Sequence, residues 1–302
     1  MPNGIIVIDK PREWTSMDVC AKLRGILRER RVGHAGTLDP MATGVLPVFV
    51  GRATRAVEFA GESDKEYIAQ IKLGVVTNTQ DITGQVLETR PVSVTREQLE
   101  AALSPFRGNI LQIPPMYSAI KRNGKKLYEL ARAGQEVERP PRPVTIHALE
   151  LLDEGAAQAL GDSGFARAAD ACLLRVRCSK GTYVRTLCHD IGAALGCGGC
   201  MSALRRTEAA GFTLSDAVTL EAVQAAEDPA ALLRPADACF HGYGAVEIGG
   251  RALLLAKNGN PFPCPPGVPD GVYRFYGPGG EFLLLGRCAG GTTTTIKSFF
   301  EV

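Results

Sequence analysis

The segment from Val32 to Gly51 constrains the fold of this chain more than any other, because it is apolar and yet too interrupted to form one helix. Glycine or proline recurs throughout it, at Gly33, Gly36, Pro40, Gly44, Pro47 and Gly51. A long irregular loop inside a compact domain is usually functional or disordered, and this one is too apolar to be disordered. We therefore expect an ordered functional loop that ends in a strand at Val45–Val50.

The rest of the sequence mixes strand and helix patterns without a regular βαβ rhythm, which indicates an α+β domain. Strands are expected at Gly4–Asp9, Lys65–Leu73, Val144–Leu152 and Cys172–Cys178. Helices are expected from the capping boxes at Thr15-Ser-Met-Asp18 and Thr95-Arg-Glu-Gln98 to about Arg31 and Leu103, and at Lys126–Ala133 and Thr182–Leu195. The stretch Gly155–Asp170 is rich in alanine and glycine and is expected to be a surface hairpin loop.

The length of 302 residues suggests two domains at roughly 150 residues each. After Pro235, short apolar runs alternate with turns rich in glycine and proline, which predicts a small all-β module. These runs are Gly244–Ile248, Gly271–Tyr276, Glu281–Leu285 and Thr293–Phe299. We expect one domain over residues 1–237 and the β module over residues 238–302.

The formal net charge is only +2, from 34 Lys and Arg against 32 Asp and Glu. This balance excludes a polycation but leaves room for local basic patches. Three basic runs hold at most one acidic residue each, and each is either a solvated face or part of a shared surface for an anionic partner. They are Lys121, Arg122, Lys125 and Lys126; Arg175, Arg177, Lys180 and Arg185; and Lys22, Arg24, Arg28, Arg30 and Arg31.

The nine cysteines are an odd number and cannot all pair within one chain. The apolar run Ile5–Ile8 is too short for a signal peptide, and no segment reaches the roughly 18 apolar residues of a membrane span. We therefore expect a cytoplasmic protein with reduced thiols and no membrane partner. Cys197-Gly-Gly-Cys200 has no second cysteine pair to complete a zinc site, so a turn with incidental thiols is favoured over a zinc or redox site.

Asp39 is the only carboxylate of the segment from Val32 to Pro47. Pro40 biases Asp39 away from helical backbone angles, and the surrounding glycines allow a ligand to approach closely. Such a loop can hold one carboxylate in a fixed direction. An Asp-Pro pair is also an ordinary turn, and composition alone leaves both interpretations open.

Six blocks of the sequence, read together, resemble one known family. Gly33-His-Ala-Gly-Thr-Leu-Asp-Pro40, followed by Ala42-Thr-Gly44 and Leu46-Pro47, resembles the catalytic signature of the TruB family of pseudouridine synthases. The other blocks are Asp9-Lys-Pro11 with Thr15-Ser16, Lys65-Glu-Tyr67, Pro114-Pro-Met-Tyr-Ser-Ala119, Ser179-Lys-Gly-Thr-Tyr-Val-Arg185 and Leu204-Arg-Arg206. The resemblance covers about residues 4 to 210. One departure is Glu13, where the family usually has glycine.

The resemblance implies a pseudouridine-synthase fold, with a central mixed, largely antiparallel sheet flanked by helices. The β module resembles the PUA-like RNA-binding end of these enzymes only loosely. The implied activity is the isomerisation of the uridine at position 55 in the T-loop of tRNA, by base flipping and nucleophilic catalysis by Asp39. No cofactor and no metal are implied.

The family pattern also implies roles for residues that handle the flipped base. Tyr67 would stack on the uracil and handle a proton, although a tyrosine of the strand core is the alternative. Arg185 would pair with Asp39, and His34 would wedge the nucleotide out of its stack. Tyr183 and Leu204 would line the uracil site, or else be ordinary core residues.

For binding of the RNA itself, the resemblance and the basic runs together imply a second set of residues. They are Lys10, Asp81, Lys121, Arg122, Lys125, Lys126 and Lys180. For Asp81, a solvated turn carboxylate is the alternative. The expected partner is the T-arm of tRNA, bound by a monomer without a guide RNA. Two other hypotheses remain open, a guide-RNA-dependent enzyme of the same family and an RNA-binding protein in which catalysis is incidental.

Overall fold

The structure is a computed structural model that describes residues 1–153, 155, 162, 164–165 and 168–300. By its internal contacts the chain divides into two compact units. The first contains residues 1–40, 45–61 and 210–302, and the second contains residues 41–44 and 62–209.

The described residues form the following elements in chain order: β1 (Gly4–Lys10), α1 (Ser16–Leu27), β2 (Val32–His34), β3 (Thr43–Val50), α2 (Val57–Gly61), β4 (Lys65–Leu73), β5 (Val75–Thr77), β6 (Val86–Thr89), α3 (Arg96–Leu103), β7 (Gly108–Gln112), β8 (Lys121–Arg122), β9 (Lys125–Lys126), α4 (Leu127–Arg132), β10 (Arg142–Leu152), β11 (Ala171–Cys178), α5 (Val184–Ala194), β12 (Gly199–Ala209), β13 (Phe212–Thr213), α6 (Leu220–Ala225), β14 (Gly244–Glu247), α7 (Gly250–Lys257), β15 (Phe262–Pro263), β16 (Gly271–Tyr276), β17 (Phe282–Ala289) and β18 (Thr292–Ser298). None of the helices that the structure describes has both the length and the hydropathy needed to span a bilayer.

In the first unit, α1 packs its apolar face on strands β1 and β3 around a core that includes Val19 and Leu23. The predicted capping box is present, since the Thr15 hydroxyl accepts a hydrogen bond from the Asp18 amide at 3.1 Å. The helix was expected to extend to about Arg31, but it ends at Leu27 because Arg28 adopts a left-handed conformation with φ of 51°. Such a residue cannot continue a right-handed helix.

The C-terminal part of the first unit contains a five-stranded sheet in the order β14-β16-β17-β18-β15. Its four longest strands lie where the short apolar runs predicted them. The all-β sheet is as predicted, and one short helix accompanies it, α7 at Gly250–Lys257, whose alanines and leucines are strong helix formers.

All five strands of this sheet follow the predicted boundary at residue 237. The compact unit that contains the sheet, however, also contains residues 1–40 and 45–61. Contacts within the unit explain the grouping. The Arg55 guanidinium donates to the Ser298 carbonyl at 2.9 Å, and the Lys297 ammonium lies 2.6 Å from a carboxylate oxygen of Glu58. The functional division into a catalytic domain and an RNA-binding module stays a prediction.

The second unit is built on an antiparallel sheet in the order β12-β4-β11-β10-β7. The first two residues of β3, Thr43 and Gly44, pair in parallel with Arg205 and Arg206 of β12. Helix α5 packs against β12. The large sheet is therefore mixed and mostly antiparallel, as expected.

Part of the insertion at 155–170 lies outside the described residues, but the described part is not a plain surface loop. Phe165 is 8% exposed and packs with Ile68, Leu173 and Ala203 of the sheet. The expectation of a surface hairpin is therefore wrong for this part. The apolar contact of the described part comes from one phenylalanine, which a composition dominated by alanine and glycine conceals.

Candidate active site

Asp39 lies in the loop that joins β2 to β3, which form an antiparallel pair from Val32 opposite Val50 to His34 opposite Val48. The loop is therefore the connection of a hairpin, and His34 is the last residue of its first strand. Asp39 itself is half-buried.

The backbone on both sides of Asp39 is held by hydrogen bonds within the first unit. The buried hydroxyl of Ser16 accepts a bond from the Leu38 amide at 2.9 Å and contacts the Leu38 carbonyl at 3.3 Å. The Pro40 carbonyl accepts bonds from the Glu13 amide at 2.8 Å and from the Lys10 ammonium at 3.2 Å. A residue between two such anchors has little backbone freedom, so the direction in which the Asp39 side chain leaves the backbone is fixed.

Lys10 was predicted to bind RNA, and the structure corrects this prediction. The side chain is completely buried, and its ammonium donates to the carbonyls of Pro11, Trp14 and Pro40 at 2.8, 2.6 and 3.2 Å. A buried ammonium needs such partners to compensate for lost hydration. Lys10 therefore supports the Asp39 loop from inside the protein, where phosphates do not reach.

Glu13, the departure from the family pattern, has φ of 68°. This is the left-handed region, which glycine adopts freely and a residue with a side chain adopts at a cost. The usual glycine at this position is explained by the backbone angle. Glu13 keeps the turn, and its amide makes the bond to Pro40 described above.

Tyr67 and Leu204 come together in the second unit through the pairing of β4 with β12. Tyr67 lies opposite Arg206, and Leu204 lies opposite Ala69. Because side chains alternate along a strand, Leu204 and Arg206 share one face of the sheet with Tyr67. Tyr67 and Leu204 are 7% and 6% exposed.

Arg206 was matched to the family but was given no role, and it is completely buried. It shares a side-chain hydrogen bond with Tyr67; burial lowers the pKa of the guanidinium, and Tyr67 opposes this effect. Burial and the nearby Arg206 charge also lower the pKa of Lys65, whose ammonium donates to the Ser63 carbonyl at 2.5 Å. The buried Arg206 guanidinium bonded to Tyr67 creates a positive environment that stabilises negative charge on the phenol oxygen. The Leu204-Arg-Arg206 block was the signal that could have identified Arg206.

Arg185 and Tyr183 are also neighbours in the second unit. The Arg185 guanidinium lies 5.9 Å from the centre of the Tyr183 ring and donates to the Tyr117 carbonyl at 2.8 Å. Gln112 holds the backbone of Tyr183 by bonds of 2.8 and 3.0 Å. The pairing of Arg185 with Asp39 stays a prediction.

Asp81 was predicted to lie near the RNA-binding face, but it is only 4% exposed. One carboxylate oxygen accepts bonds from the Thr79 hydroxyl at 2.9 Å and the Thr83 amide at 3.0 Å, and the other lies 3.6 Å from Arg185. The carboxylate therefore closes its own turn and orients Arg185. Both expectations for Asp81, a residue near the RNA-binding face and a solvated turn carboxylate, differ from this buried position.

The first basic run forms the hairpin β8–β9, in which Lys121 lies opposite Lys126 and Arg122 lies opposite Lys125. Like charges directly opposite each other destabilise a strand pair, and an isolated two-stranded hairpin is marginal in water. A surface built in this way gains stability from an anion.

Beside the hairpin lies a cleft of about 240 Å³ that Arg139 and Arg142 line together with Lys121 and Arg122. Glu138 is the acidic residue of its lining. Sequence analysis missed both arginines, because they follow the hairpin at a distance and come after the acidic residues Glu136 and Glu138. They extend the basic surface of the first run.

Two residues of the second basic run, Arg175 and Lys180, are paired with carboxylates from other segments. The Arg175 guanidinium lies 2.6 Å from Glu66 and 3.2 Å from Glu150, and Lys180 is paired with Glu62. The expectation that this run forms a free basic surface was therefore wrong for Arg175. Lys180 keeps an exposed side chain, and its contact with RNA stays a prediction.

Cys197 and Cys200 are both buried. Burial raises the pKa of the Cys200 thiol to about 11, so it remains protonated and is a poor metal ligand or redox nucleophile. Within the described ranges, no three His, Cys, Asp or Glu side chains are grouped so that they could hold a metal ion.

Comparison with known proteins identifies the family of this chain. Residues 24–184 match the model of the N-terminal domain of the TruB family pseudouridylate synthases, and residues 185–241 match that of the tRNA pseudouridylate synthase B C-terminal domain. The chain belongs to the TruB family of pseudouridylate synthases. The predictions of the family and of an enzyme are confirmed.

Relatives and solved structures agree with this assignment. The chain is 46% identical to tRNA pseudouridine synthase B of Ralstonia nicotianae, over 95% of this chain and 90% of the relative. It is 45% identical to tRNA pseudouridine synthase B of Stutzerimonas stutzeri, over 94% of this chain and 91% of the relative. A crystal structure of a Cbf5-Nop10-Gar1 complex aligns with a TM-score of 0.72 at 25% identity, over 98% of this chain and 85% of that chain. The predicted fold class is thereby confirmed.

Proposed function

We propose that the protein converts the uridine at position 55 in the T-loop of tRNA to pseudouridine, with Asp39 as the nucleophile and with the target base flipped out of the RNA. The observation that carries this proposal is the anchoring of Asp39. Leu38 is bonded to Ser16, and Pro40 is bonded to Lys10 and Glu13, so that one carboxylate is held in place without a second acid beside it in the loop.

The chemistry needs one carboxylate. The glycosidic bond from nitrogen breaks, the uracil rotates and a carbon–carbon bond to the sugar forms, while a proton leaves the same ring carbon. Asp39 stabilises or attacks the electron-poor intermediate, as carboxylates do in glycosidases. No water has to be activated, and therefore no second carboxylate is required.

Tyr67 is the group proposed to stack on the flipped uracil and to handle its proton. Support comes from the buried Arg206 guanidinium, which shares a hydrogen bond with the Tyr67 side chain and stabilises negative charge on the phenol during proton transfer. Leu204 and Tyr183 are proposed to form apolar walls that retain the detached base. His34 is proposed to take the place of the flipped nucleotide in the stack.

Phosphates of the T-arm are proposed to bind the β8–β9 hairpin with Lys121, Arg122, Lys125 and Lys126. The like-charged pairs of that hairpin and the adjacent arginine-lined cleft support this assignment. Lys180 is a further proposed phosphate contact. The C-terminal sheet is proposed to contribute to RNA binding.

The enzyme is proposed to act as a monomer in the cytoplasm, without guide RNA and without a cofactor. Relatives at 45–46% identity over nine tenths of the chain are named tRNA pseudouridine synthase B, whereas the guide-RNA-type complex is 25% identical. The greater identity to the former supports stand-alone action.

Release of tritium from tRNA labelled at carbon 5 of uridine tests this function. We expect the wild type alone to release tritium from unmodified tRNA, and Asp39→Asn to release none above background. Asp153→Asn, which changes an exposed carboxylate paired with Arg96, is the matched control and should remain active. Activity of Asp39→Asn, or dependence of the wild type on an added guide RNA, would contradict the proposal; reaction at another uridine would contradict position 55.

A further inference from the structure

The insertion at 155–170 places a buried carboxylate on the end of the catalytic signature. Asp162 accepts a hydrogen bond from the Thr43 hydroxyl at 2.5 Å, and the same oxygen lies 3.8 Å from the Arg205 guanidinium. Arg205 also donates to the Thr43 hydroxyl at 3.3 Å. The Asp162 and Arg205 side chains are 8% and 11% exposed, so these bonds are protected from solvent.

This group of three side chains lies at a short strand junction. In the part of the sheet that the structure describes, β3 pairs with β12 at two positions, Thr43 with Arg205 and Gly44 with Arg206. Two pairs are a weak basis for fixing the register of parallel strands. Asp162 bridges the side chains of the first pair and thereby reinforces the junction.

The junction is connected directly to the residues of the proposed reaction. Thr43 follows Asp39 by four residues, and Arg205 lies between Leu204 and Arg206. Arg205 lies opposite Ile68, whereas Leu204 and Arg206 face the other side of the sheet with Tyr67. Asp162 therefore holds these strands from the face opposite to Tyr67, where it does not obstruct the base.

A hydrophobic anchor keeps Asp162 in place. Phe165, three residues further along, is 8% exposed and packs against Ile68, Leu173 and Ala203 on the same face as Arg205. The insertion is thus attached to the sheet at both an apolar and a charged point.

We propose that Asp162 is a positioning residue for the reaction, acting through Thr43 and Arg205 on the strands that lead to Asp39 and Leu204. This proposal rests on the proposed function. It assigns to the insertion a part in catalysis.

The test compares Asp162→Asn with Asp170→Asn in single-turnover and steady-state assays on tRNA. Asp170 belongs to the same insertion and pairs with Lys72 at 2.6 Å, but it does not take part in the group around Thr43. We expect kcat of Asp162→Asn to fall by about 10- to 100-fold, as for a small misplacement of reacting groups, with KM changed less than about twofold. Asp170→Asn should keep wild-type kcat and KM.

A double-mutant cycle tests the same contact from its other end. Thr43→Val should lower kcat as Asp162→Asn does. The kcat of the double variant should be no lower than that of the slower single variant. Thr43→Ser, which keeps the hydroxyl, should retain activity. Additive losses, an unchanged kcat in Asp162→Asn, or an equal loss in Asp170→Asn would each overturn the proposal. The wild type and Asp39→Asn are measured in parallel. If the wild type is active and Asp39→Asn is not, the proposed function holds, and a negative result for Asp162 contradicts only the positioning role.

Discussion

Replacing Lys10 by methionine removes the buried ammonium that supports the Asp39 loop while keeping the length of the side chain. The ammonium makes hydrogen bonds to three carbonyls, those of Pro11, Trp14 and Pro40. At about 1.5 kcal/mol for each bond to a charged group, their loss costs about 4.5 kcal/mol. Burial of the methionine side chain returns about 1.5 kcal/mol. We therefore expect the free energy of unfolding to fall by about 3 kcal/mol.

The same change should lower activity through the direction of the Asp39 carboxylate. Pro40 keeps its bond from the Glu13 amide at 2.8 Å, so the loop retains one anchor on this side. We expect kcat to fall by about 10- to 100-fold at a temperature where Lys10→Met is fully folded, with little change in KM.

The assay combines urea denaturation, followed by circular dichroism, with tritium release at 20 °C. Arg96→Met, which changes an exposed basic residue of α3 outside the three basic runs, is the matched control and should resemble the wild type in both measurements. An unfolding free energy of Lys10→Met equal to that of the control would refute the buried network. A stability loss with an unchanged kcat would refute the link from Lys10 to Asp39.

Three further predictions concern single positions. Glu13→Gly should stabilise the protein by about 0.5–1 kcal/mol in urea denaturation, because relief of about 1–2 kcal/mol of left-handed strain exceeds the entropic cost of glycine, about 0.5–1 kcal/mol. Gly44→Ala should destabilise by about 3 kcal/mol or more in the same assay, since its Cβ would lie 2.2 Å from the Arg206 carbonyl oxygen. Arg142→Ala should reduce the slope of log K for tRNA against log salt by about 0.9, whereas Arg175→Ala, already paired with carboxylates, should not. Destabilisation by Glu13→Gly, stabilisation by Gly44→Ala, or equal slopes for the two arginine variants would contradict these assignments.

The basic runs show what limits charge arguments from sequence. Arg175 has no acidic neighbour along its strand, but antiparallel pairing sets it opposite Glu150 on one side and beside Glu66 on the other. The cross-strand neighbours of Lys121 and Arg122 are themselves basic and so do not form ion pairs with them. Partners on adjacent strands therefore decide which basic residues remain available for phosphate.

Local patterns in the sequence were sufficient for much of the fold. The capping boxes at Thr15 and Thr95 begin helices as predicted, and the alternating run Lys65–Leu73 is a strand. The signature around Asp39 was recognisable as a resemblance in the sequence itself, and its prolines restrict the backbone through neighbouring residues alone.

Only the tertiary structure decided which side chains are buried and what they contact. Lys10 and Asp81 were expected to face RNA, but each becomes an internal support, because local partners are joined by one from a distant segment, Pro40 for Lys10 and Arg185 for Asp81. The contact of Asp162 with Thr43 joins residues that are 119 positions apart. Local rules determine backbone conformation over a few residues, whereas burial and charge pairing depend on how distant segments pack, and the sequence of either segment alone does not contain that information.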